Sequence, residues 1–363
     1  MKVIITAGGT GGHIYPALAI AAKIKELDKK SEILYIGTHD RMEKTMVPEA
    51  GYRYEALEIY GFSKTLIKRN IKNIKLISNA KKKCIKLMEE FKPDVVVGFG
   101  GYVTFPVIKA AKKLGISTFI HEQNSIPGKS NRVLSKSADK IGVCFKDSIN
   151  FFNSNKCVLT GNPCAENAID IKPMLKTKYG LDRKKKSVII VQGSLGSSVI
   201  NNKMKDFLSN VSDEAYDILY ITGKPYYEEY SKNEFSKNVH VVPYVDNLSA
   251  LMKDVDLVIS RAGAGTISEL AAIQKPNILI PSPYVANNHQ FHNALSVKEA
   301  GAGELIEEAD LTSDLLKMRI NKILYDEKYN KQMQNNLKKI AINDSSTIIY
   351  NILKELSNKN VGE

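Results

Sequence analysis

The stretch Val3-Ile4-Ile5-Thr6-Ala7-Gly8-Gly9-Thr10-Gly11-Gly12-His13-Ile14-Tyr15-Pro16 constrains the fold of this chain more than any other. Three branched apolar residues in succession read as a buried strand. Four glycines, Gly8, Gly9, Gly11 and Gly12, then let the backbone turn sharply and leave amide N–H groups uncovered. A helix over about residues 16–27 would point its positive end at that turn. Strand, glycine turn and helix N-terminus together predict an anion site, most often one for phosphate. His13 stands directly after the glycines, and a titratable imidazole beside a phosphate cradle points to proton transfer as well as binding. The dinucleotide-binding fingerprint does not fit, because Ile14 occupies the place of its third glycine.

At 363 residues the chain exceeds one ordinary core, so two domains are expected. The composition, 43% hydrophobic and 25% charged, is globular, and the net charge of +13 calls for an anionic partner. Met1-Lys2-Val3 runs straight into a core strand, which leaves no room for a signal peptide. No apolar run approaches a membrane span. Cys84, Cys144, Cys157 and Cys164 fit neither a metal spacing nor a secreted scaffold and are expected as buried, reduced thiols of a cytoplasmic protein.

Strand and helix signals alternate along the chain. Strands are predicted at 32–36, 94–98, 117–120 and 140–143, and in a second series at 187–191, 218–222, 239–242, 257–260 and 277–280. Alternation of this kind builds parallel sheets covered by helices on both faces, with ligands at the carboxyl ends of the strands. That places the His13 loop, Gly98-Phe99-Gly100-Gly101-Tyr102 and His121-Glu122-Gln123-Asn124 on one rim. Thr160-Gly161-Asn162-Pro163 reads as a turn at the domain boundary. Just beyond it, Gln192-Gly193-Ser194-Leu195-Gly196-Ser197-Ser198 repeats the strand, turn and helix pattern as a second phosphate site. The expected division is an N-terminal domain, 1–162, and a C-terminal domain, 163–342. A last helix, about 343–363, would fold back on the first domain.

Residues 66–88 differ in character. Ile67, Ile71, Ile74, Ile77, Ile85 and Met88 recur at near-helical spacing, and Ile71 and Ile74 are expected to be buried. Lys68, Arg69, Lys72, Lys75, Lys81, Lys82, Lys83 and Lys86 stand between them, and no acid precedes Glu89. A basic amphipathic helix fits an anionic lipid surface. Nucleic acid is not expected, since no aromatic residue interleaves these lysines.

In the second half, Ser260-Arg261-Ala262-Gly263-Ala264-Gly265-Thr266-Ile267-Ser268-Glu269 follows a strand and opens a helix. Its small residues let a ligand lie against the backbone, and Glu269 can accept hydrogen bonds from hydroxyls. The run Asn287-Asn288-His289-Gln290-Phe291-His292-Asn293-Ala294 carries amides and imidazoles suited to sugar hydroxyls. Two further patterns are decoys. Ile126-Pro127-Gly128-Lys129-Ser130 lacks the first glycine of a P-loop, with Gln123 in its place. Asp254-Val255-Asp256 reads as a turn before a strand and not as a metal site.

Taken in order, Gly8-Gly9-Thr10-Gly11-Gly12-His13, Gly100-Gly101-Tyr102, His121-Glu122-Gln123-Asn124, Gly161-Asn162-Pro163, Gly193-Ser194-Leu195-Gly196, Ser268-Glu269 and His289-Gln290 with Asn293-Ala294 resemble one family over nearly the whole chain. It is the MurG family of bacterial undecaprenyldiphospho-muramoylpentapeptide β-N-acetylglucosaminyltransferases, in glycosyltransferase family 28. The resemblance implies a GT-B fold: an α/β chain with two Rossmann-like, doubly wound parallel-sheet domains facing across a cleft. It implies inverting transfer of N-acetylglucosamine from UDP-N-acetylglucosamine to the 4-hydroxyl of the muramoyl sugar of lipid I, undecaprenyl-pyrophosphoryl-MurNAc-pentapeptide, to give lipid II for peptidoglycan. No metal and no cofactor are implied, and the expected location is peripheral, on the cytoplasmic face of the cell membrane.

By match, Thr10, Gly11, Gly12, Asn124, Ser194, Val245, Glu269 and Gln290 would contact the donor. Val245 would read the uracil edge through its backbone, Glu269 would take the ribose hydroxyls, and Gln290 would hold the sugar. Gly9, His13 and Tyr102 would meet the acceptor, with His13 as the candidate general base. One departure stands out. The family carries an arginine two places after Gly-Asn-Pro, where this chain has Ala165, between Cys164 and Glu166; Arg261 is the candidate substitute. The rivals on the same fold are a UDP-N-acetylglucosamine 2-epimerase and a glycolipid synthase. A catalytically idle binding protein for nucleotide-sugars is the alternative of a different class.

Overall fold

The computed structural model describes residues 1–62, 67–193 and 196–359, with the side chains of residues 67, 68 and 359 left out of the account. The chain forms two compact units, Met1–Cys164 with Asp344–Glu363, and Ala165–Asn343. The strands are β1 (Lys2–Ala7), β2 (Glu32–Thr38), β3 (Arg53–Leu57), β4 (Val95–Gly100), β5 (Ser117–Glu122), β6 (Lys140–Val143), β7 (Cys157–Leu159), β8 (Lys186–Val191), β9 (Tyr216–Ile221), β10 (Val239–Val242), β11 (Leu257–Ser260), β12 (Asn277–Leu279) and β13 (Glu304–Leu305). The α-helices are α1 (Gly11–Leu27), α2 (Glu43–Glu49), α3 (Ile67–Phe91), α4 (Thr104–Lys113), α5 (Lys129–Leu134), α6 (Cys164–Asp170), α7 (Ser198–Ser209), α8 (Tyr227–Tyr230), α9 (Leu248–Met252), α10 (Ala264–Ala272), α11 (His289–Glu299), α12 (Ser313–Tyr325), α13 (Glu327–Ile340) and α14 (Ser345–Lys359).

In the first unit the strand order is β3-β2-β1-β4-β5-β6-β7, every pair parallel. Side chains alternate across the sheet, as a pleated strand requires. Ile4, Leu34, Val96 and Ile120 face one core with Ala80, Cys84 and Met88 of α3 and Val107 of α4. Val3, Ile5, Val97 and Phe119 face the other, against Ala17, Ile20 and Ile24 of α1 and Ile349 and Leu353 of α14. Helices therefore cover both faces. The order runs outward from β1 in one direction and from β4 in the other, so the loops after β1 and β4 leave a crevice between them at the carboxyl edge.

The second unit repeats the plan. Its order is β10-β9-β8-β11-β12-β13, again all parallel, with the reversal of order between β8 and β11.

Several expectations are corrected. Helix α1 begins at Gly11 and not near Pro16, so Gly11 and Gly12 form its first turn and Pro16 lies inside it. Among the four glycines of that loop only Gly9 has a positive φ, +92°. His121 and Glu122 belong to strand β5 itself. Strands β3, β7 and β13 were not foreseen. Ile71 and Ile74 are exposed at 67% and 62%, not buried. The buried stripe of α3 runs instead through Asn73, Ala80, Cys84, Leu87, Met88 and Phe91, and Ile71 and Ile74 lie off it, beside Lys72 and Lys75. Asn73 fixes that register by accepting from Tyr60 N–H and donating to Tyr60 O. Of the cysteines, Cys84 and Cys164 are buried, while Cys144 and Cys157 are half-buried.

Candidate active site

In the first unit the site is built where β1 and β4 end. His13, in the first turns of α1, places Nδ1 3.2 Å from the carbonyl oxygen of Gly8 and 3.4 Å from Thr10 Oγ1. The imidazole lies over Gly100: a Cβ there would come within 2.9 Å of His13 Nε2. Gly101 has φ +85°, and a Cβ there would overlap the Gly8 carbonyl. Glycine at 100 and 101 is thus the condition for the two loops to touch, a link completed by Gly8 N–H donating to Gly100 O at 3.3 Å. The Thr104 hydroxyl also donates to Gly100 O. Gly9 N–H is already engaged by the Glu43 carboxylate at 3.3 Å. Thr10 and Gly12 are exposed and Gly9 and Gly11 half-buried at the start of α1, so the N–H groups of that first turn supply the helix-end donors an anion needs. Ile14, which breaks the dinucleotide fingerprint, is a core residue at 0% exposure.

His121 is no proton shuttle. It is fully buried, donates Nε2–H to Gly161 O at 2.9 Å and accepts from Gln123 Nε2 at 3.1 Å. Burial pushes its pKa down to about 4, against the bond to Gly161, so it stays neutral. Glu122 is equally internal. It accepts from Asn124 N–H, Gly128 N–H and Asn131 Nδ2, and burial raises its pKa while these bonds oppose the rise. The pair shapes the loop that carries Asn124, whose side-chain amide donates to Glu122 Oε1 at 3.3 Å. Tyr102, half-buried, packs on the core beneath β4.

In the second unit Ser194 lies outside the described residues, as does Leu195. On either side of them Gly193 and Gly196 have positive φ, +84° and +71°. Ser197 caps α7, accepting from Ile200 N–H. Arg261 braces this turn from the loop after β11. Its guanidinium donates to Ser197 Oγ at 2.9 Å and to Ile280 O and Pro281 O at 3.2 Å, and pairs with Glu308 at 2.6 Å. Arg261 is therefore buried and engaged on all sides, which makes it a support of the turn.

Glu269, on α10, accepts from Ser249 Oγ at 3.2 Å. Ser249 follows Val245 in the chain, so the segment of Val245 is tied to Glu269. The Val245 side chain is buried. Desolvation carries the Glu269 carboxyl up to about 7, opposed by the Ser249 bond. Gln290, at the start of α11, accepts from Ser282 N–H at 2.8 Å through Oε1, so its Nε2 is the end turned to other partners. Two left-handed asparagines, Asn287 and Asn288, precede it, and Asn293 anchors the helix by donating to Ala262 O. Asp254 and Asp256 accept from Lys176 N–H and Ser187 N–H, as turn residues do. No cluster of metal-ligating side chains occurs among the described residues.

The sequence gives no sign of Glu43 and assigns no role to the side chain of Gln192, although Gln192 opens the second glycine turn. Glu43 is wholly buried behind the Gly8-Gly9 turn. Gln192, at 3% exposure where β8 enters the Gly193 turn, has no hydrogen-bond partner on either amide atom among the described residues. Adjacency to the second glycine turn was the signal for Gln192. Glu43 had none, because the partner that ties it to the site, Gly9, is 34 residues away.

Comparison with known proteins now bears on the two loops. The profile described as "Glycosyltransferase family 28 N-terminal domain" matches residues 3–143, and "Glycosyltransferase family 28 C-terminal domain" matches residues 187–348. The chain belongs to glycosyltransferase family 28. Within family 28 it is 41% identical, over 99% of its length and 100% of the relative's, to UDP-N-acetylglucosamine--N-acetylmuramyl-(pentapeptide) pyrophosphoryl-undecaprenol N-acetylglucosamine transferase 1 of Bacillus cereus. The transferase of that name from Pediococcus pentosaceus is 38% identical over 98% of this chain and 100% of its own. Among solved structures, Acinetobacter baumannii MurG superposes with a TM-score of 0.81 at 25% identity, covering 98% of this chain and 99% of that one. Neisseria meningitidis UDP-GlcNAc 2-epimerase, at TM-score 0.68 and 19% identity over 98% and 100% of the two chains, shares the fold.

Proposed function

We propose that this family 28 chain transfers N-acetylglucosamine from UDP-N-acetylglucosamine to the 4-hydroxyl of the muramoyl sugar of lipid I, giving lipid II and UDP. The observation that carries the reading is the full-length identity of 41% to the Bacillus cereus transferase. Incubation with both substrates tests it, since only a transferase makes the disaccharide.

The chemistry follows from the two loops. His13 takes the proton from the acceptor hydroxyl through Nε2, the nitrogen left basic when Nδ1–H donates to Gly8 O. The hydroxyl oxygen forms the new bond to C1 of the sugar. The bond from C1 to the β-phosphate oxygen breaks, and UDP leaves with the electron pair, so a single displacement inverts the anomeric centre. The departing charge needs preorganised donors. The N-terminus of α7, capped by Ser197 and braced by Arg261, would supply them together with the glycine turn that precedes it. Gln192 adds an amide that a phosphate oxygen or sugar hydroxyl would satisfy. Val245, Glu269 and Gln290 hold the uridine and sugar. By match with the family, Thr10, Gly11, Gly12 and Asn124 would also contact the donor, and Gly9, His13 and Tyr102 the acceptor.

The lipid-linked acceptor draws the enzyme to the cytoplasmic face of an anionic membrane. Ile71 and Ile74 are exposed beside the exposed Lys72 and Lys75 on α3, with Lys82 and Lys86 further along. Phe62, in the segment leading to α3, is exposed at 65%. Apolar insertion combined with basic charge is what binds a peripheral protein to anionic lipid. No helix among the described residues is long and apolar enough to cross a membrane. An epimerase needs neither an acceptor nor this surface.

A further inference from the structure

Glu43 opens helix α2, where an acid commonly serves only to offset the helix dipole. Its oxygens point elsewhere. Oε1 accepts from Thr38 N–H at 3.0 Å and the Thr38 hydroxyl at 2.6 Å, and Oε2 accepts from Gly9 N–H at 3.3 Å. The side chain is at 0% exposure. Two glycines make room for it: a Cβ at Gly8 would overlap Oε1, and one at Gly37 would lie 2.7 Å from Cγ. A buried carboxylate is costly unless several donors meet it, and three do.

The consequence reaches His13. The Gly8-Gly9 backbone is held by Glu43 on one side and by Gly100 O on the other, and Gly8 O in turn accepts from His13 Nδ1. We propose that Glu43 is a positioning residue for His13: it fixes the Gly8-Gly9 backbone, and the Gly8 carbonyl then fixes the tautomer and direction of the imidazole. Gly9 N–H, engaged by Glu43, orients the loop, and the anion falls to the N–H groups of α1. The inference rests on the transferase reading for its kinetic test and on the geometry alone for its spectroscopic one.

Glu43→Gln keeps the shape but sets an NH2 against either Gly9 N–H or the Thr38 donors. In a double-mutant cycle with His13→Ala, Glu43→Gln should lower kcat by about 10- to 100-fold in the wild-type background and by under about threefold when His13 is absent, as coupled residues do. The donor KM should hold. The ¹⁵N resonances of His13 should show one Nδ1–H tautomer in the wild type and a mixture in Glu43→Gln. Thr38→Val, which removes one of the three donors, carries the same cycle with smaller losses if Glu43→Gln does not fold. Multiplicative losses, or an unchanged His13 tautomer, would overturn the role of Glu43. A wild type that makes no disaccharide would instead sink the transferase reading, with the tautomer experiment still deciding on Glu43.

Discussion

The Nδ1 of His13 lies 3.2 Å from the carbonyl oxygen of Gly8. A carbonyl only accepts, so Nδ1 carries the proton and Nε2 is the basic nitrogen. In the proposed role, removing the ring removes the base and leaves the backbone contact between Gly8 and Gly100. His13→Ala is expected to lower kcat by about 10²–10⁴, with little change in melting temperature. A kcat near wild type would take His13 out of the base role.

Glu269 predicts a pH dependence of donor binding. Burial raises its pKa to about 7, and if Glu269 takes the ribose hydroxyls as proposed, protonation removes an acceptor from them. The donor KM should therefore rise as pH falls from 8 to 6, and Glu269→Gln should flatten that rise. The sign for stability is opposite. With the folded pKa above the ordinary carboxyl value of 4.5, the folded state binds the proton more tightly than the unfolded chain. This group then favours folding as pH drops from about 7 to about 4.5. Donor KM values and melting temperatures across that window check both signs.

Gln192 separates a ligand contact from a structural one. Its amide is buried with neither end paired among the described residues, so an apolar replacement loses no bond to any of them. Gln192→Leu should melt at or above the wild-type temperature and raise the donor KM by about 2- to 12-fold, the worth of one hydrogen bond. A lower melting temperature with an unchanged donor KM would show that the amide serves the fold.

The sheets were readable where strands are buried on both faces. Val3–Ile5, the valines of β4 and the run Val188–Val191 stand as continuous apolar segments, as central parallel strands must. The unread strands are all edges: β3 and β7 flank the first sheet, and β13 ends the second. The Arg53-Tyr54-Glu55-Ala56-Leu57 segment is half-exposed, and β13 has two residues, so neither shows a strand period. The glycine loops were legible because their backbone geometry demands a residue type. Their supports were not: Glu43 meets Gly9 across 34 residues, and Arg261 meets Ser197 across 64. Ile71 and Ile74 are exposed because the buried stripe of α3 passes through Asn73, which is held by Tyr60, and leaves its apolar neighbours to either side.

Helix α3 carries the membrane prediction. Lys72, Lys75, Lys82 and Lys86 are exposed, and Lys68 of the same run is outside the described side chains. Replacing the four with glutamine should weaken binding to anionic vesicles at low salt by about 1 kcal/mol each, and added salt should weaken the wild type likewise. Ile71→Ser with Ile74→Ser should weaken binding in a salt-independent way. A short-chain, water-soluble acceptor should still turn over. Co-sedimentation with anionic and neutral vesicles reads the first effects. Equal binding of mutant and wild type would reduce the lysines to a solvated face.

The most direct measurement is a two-substrate reaction: the purified chain, UDP-N-acetylglucosamine labelled in the sugar, and a short-chain lipid I analogue, followed by mass spectrometry of the lipid product and quantitation of UDP. The transferase reading predicts label in a disaccharide linked at the muramoyl 4-hydroxyl with β configuration, one UDP released for each, and no UDP without acceptor. Acceptor-independent consumption of the UDP-sugar, its epimerisation, or binding with no disaccharide formed would contradict the account.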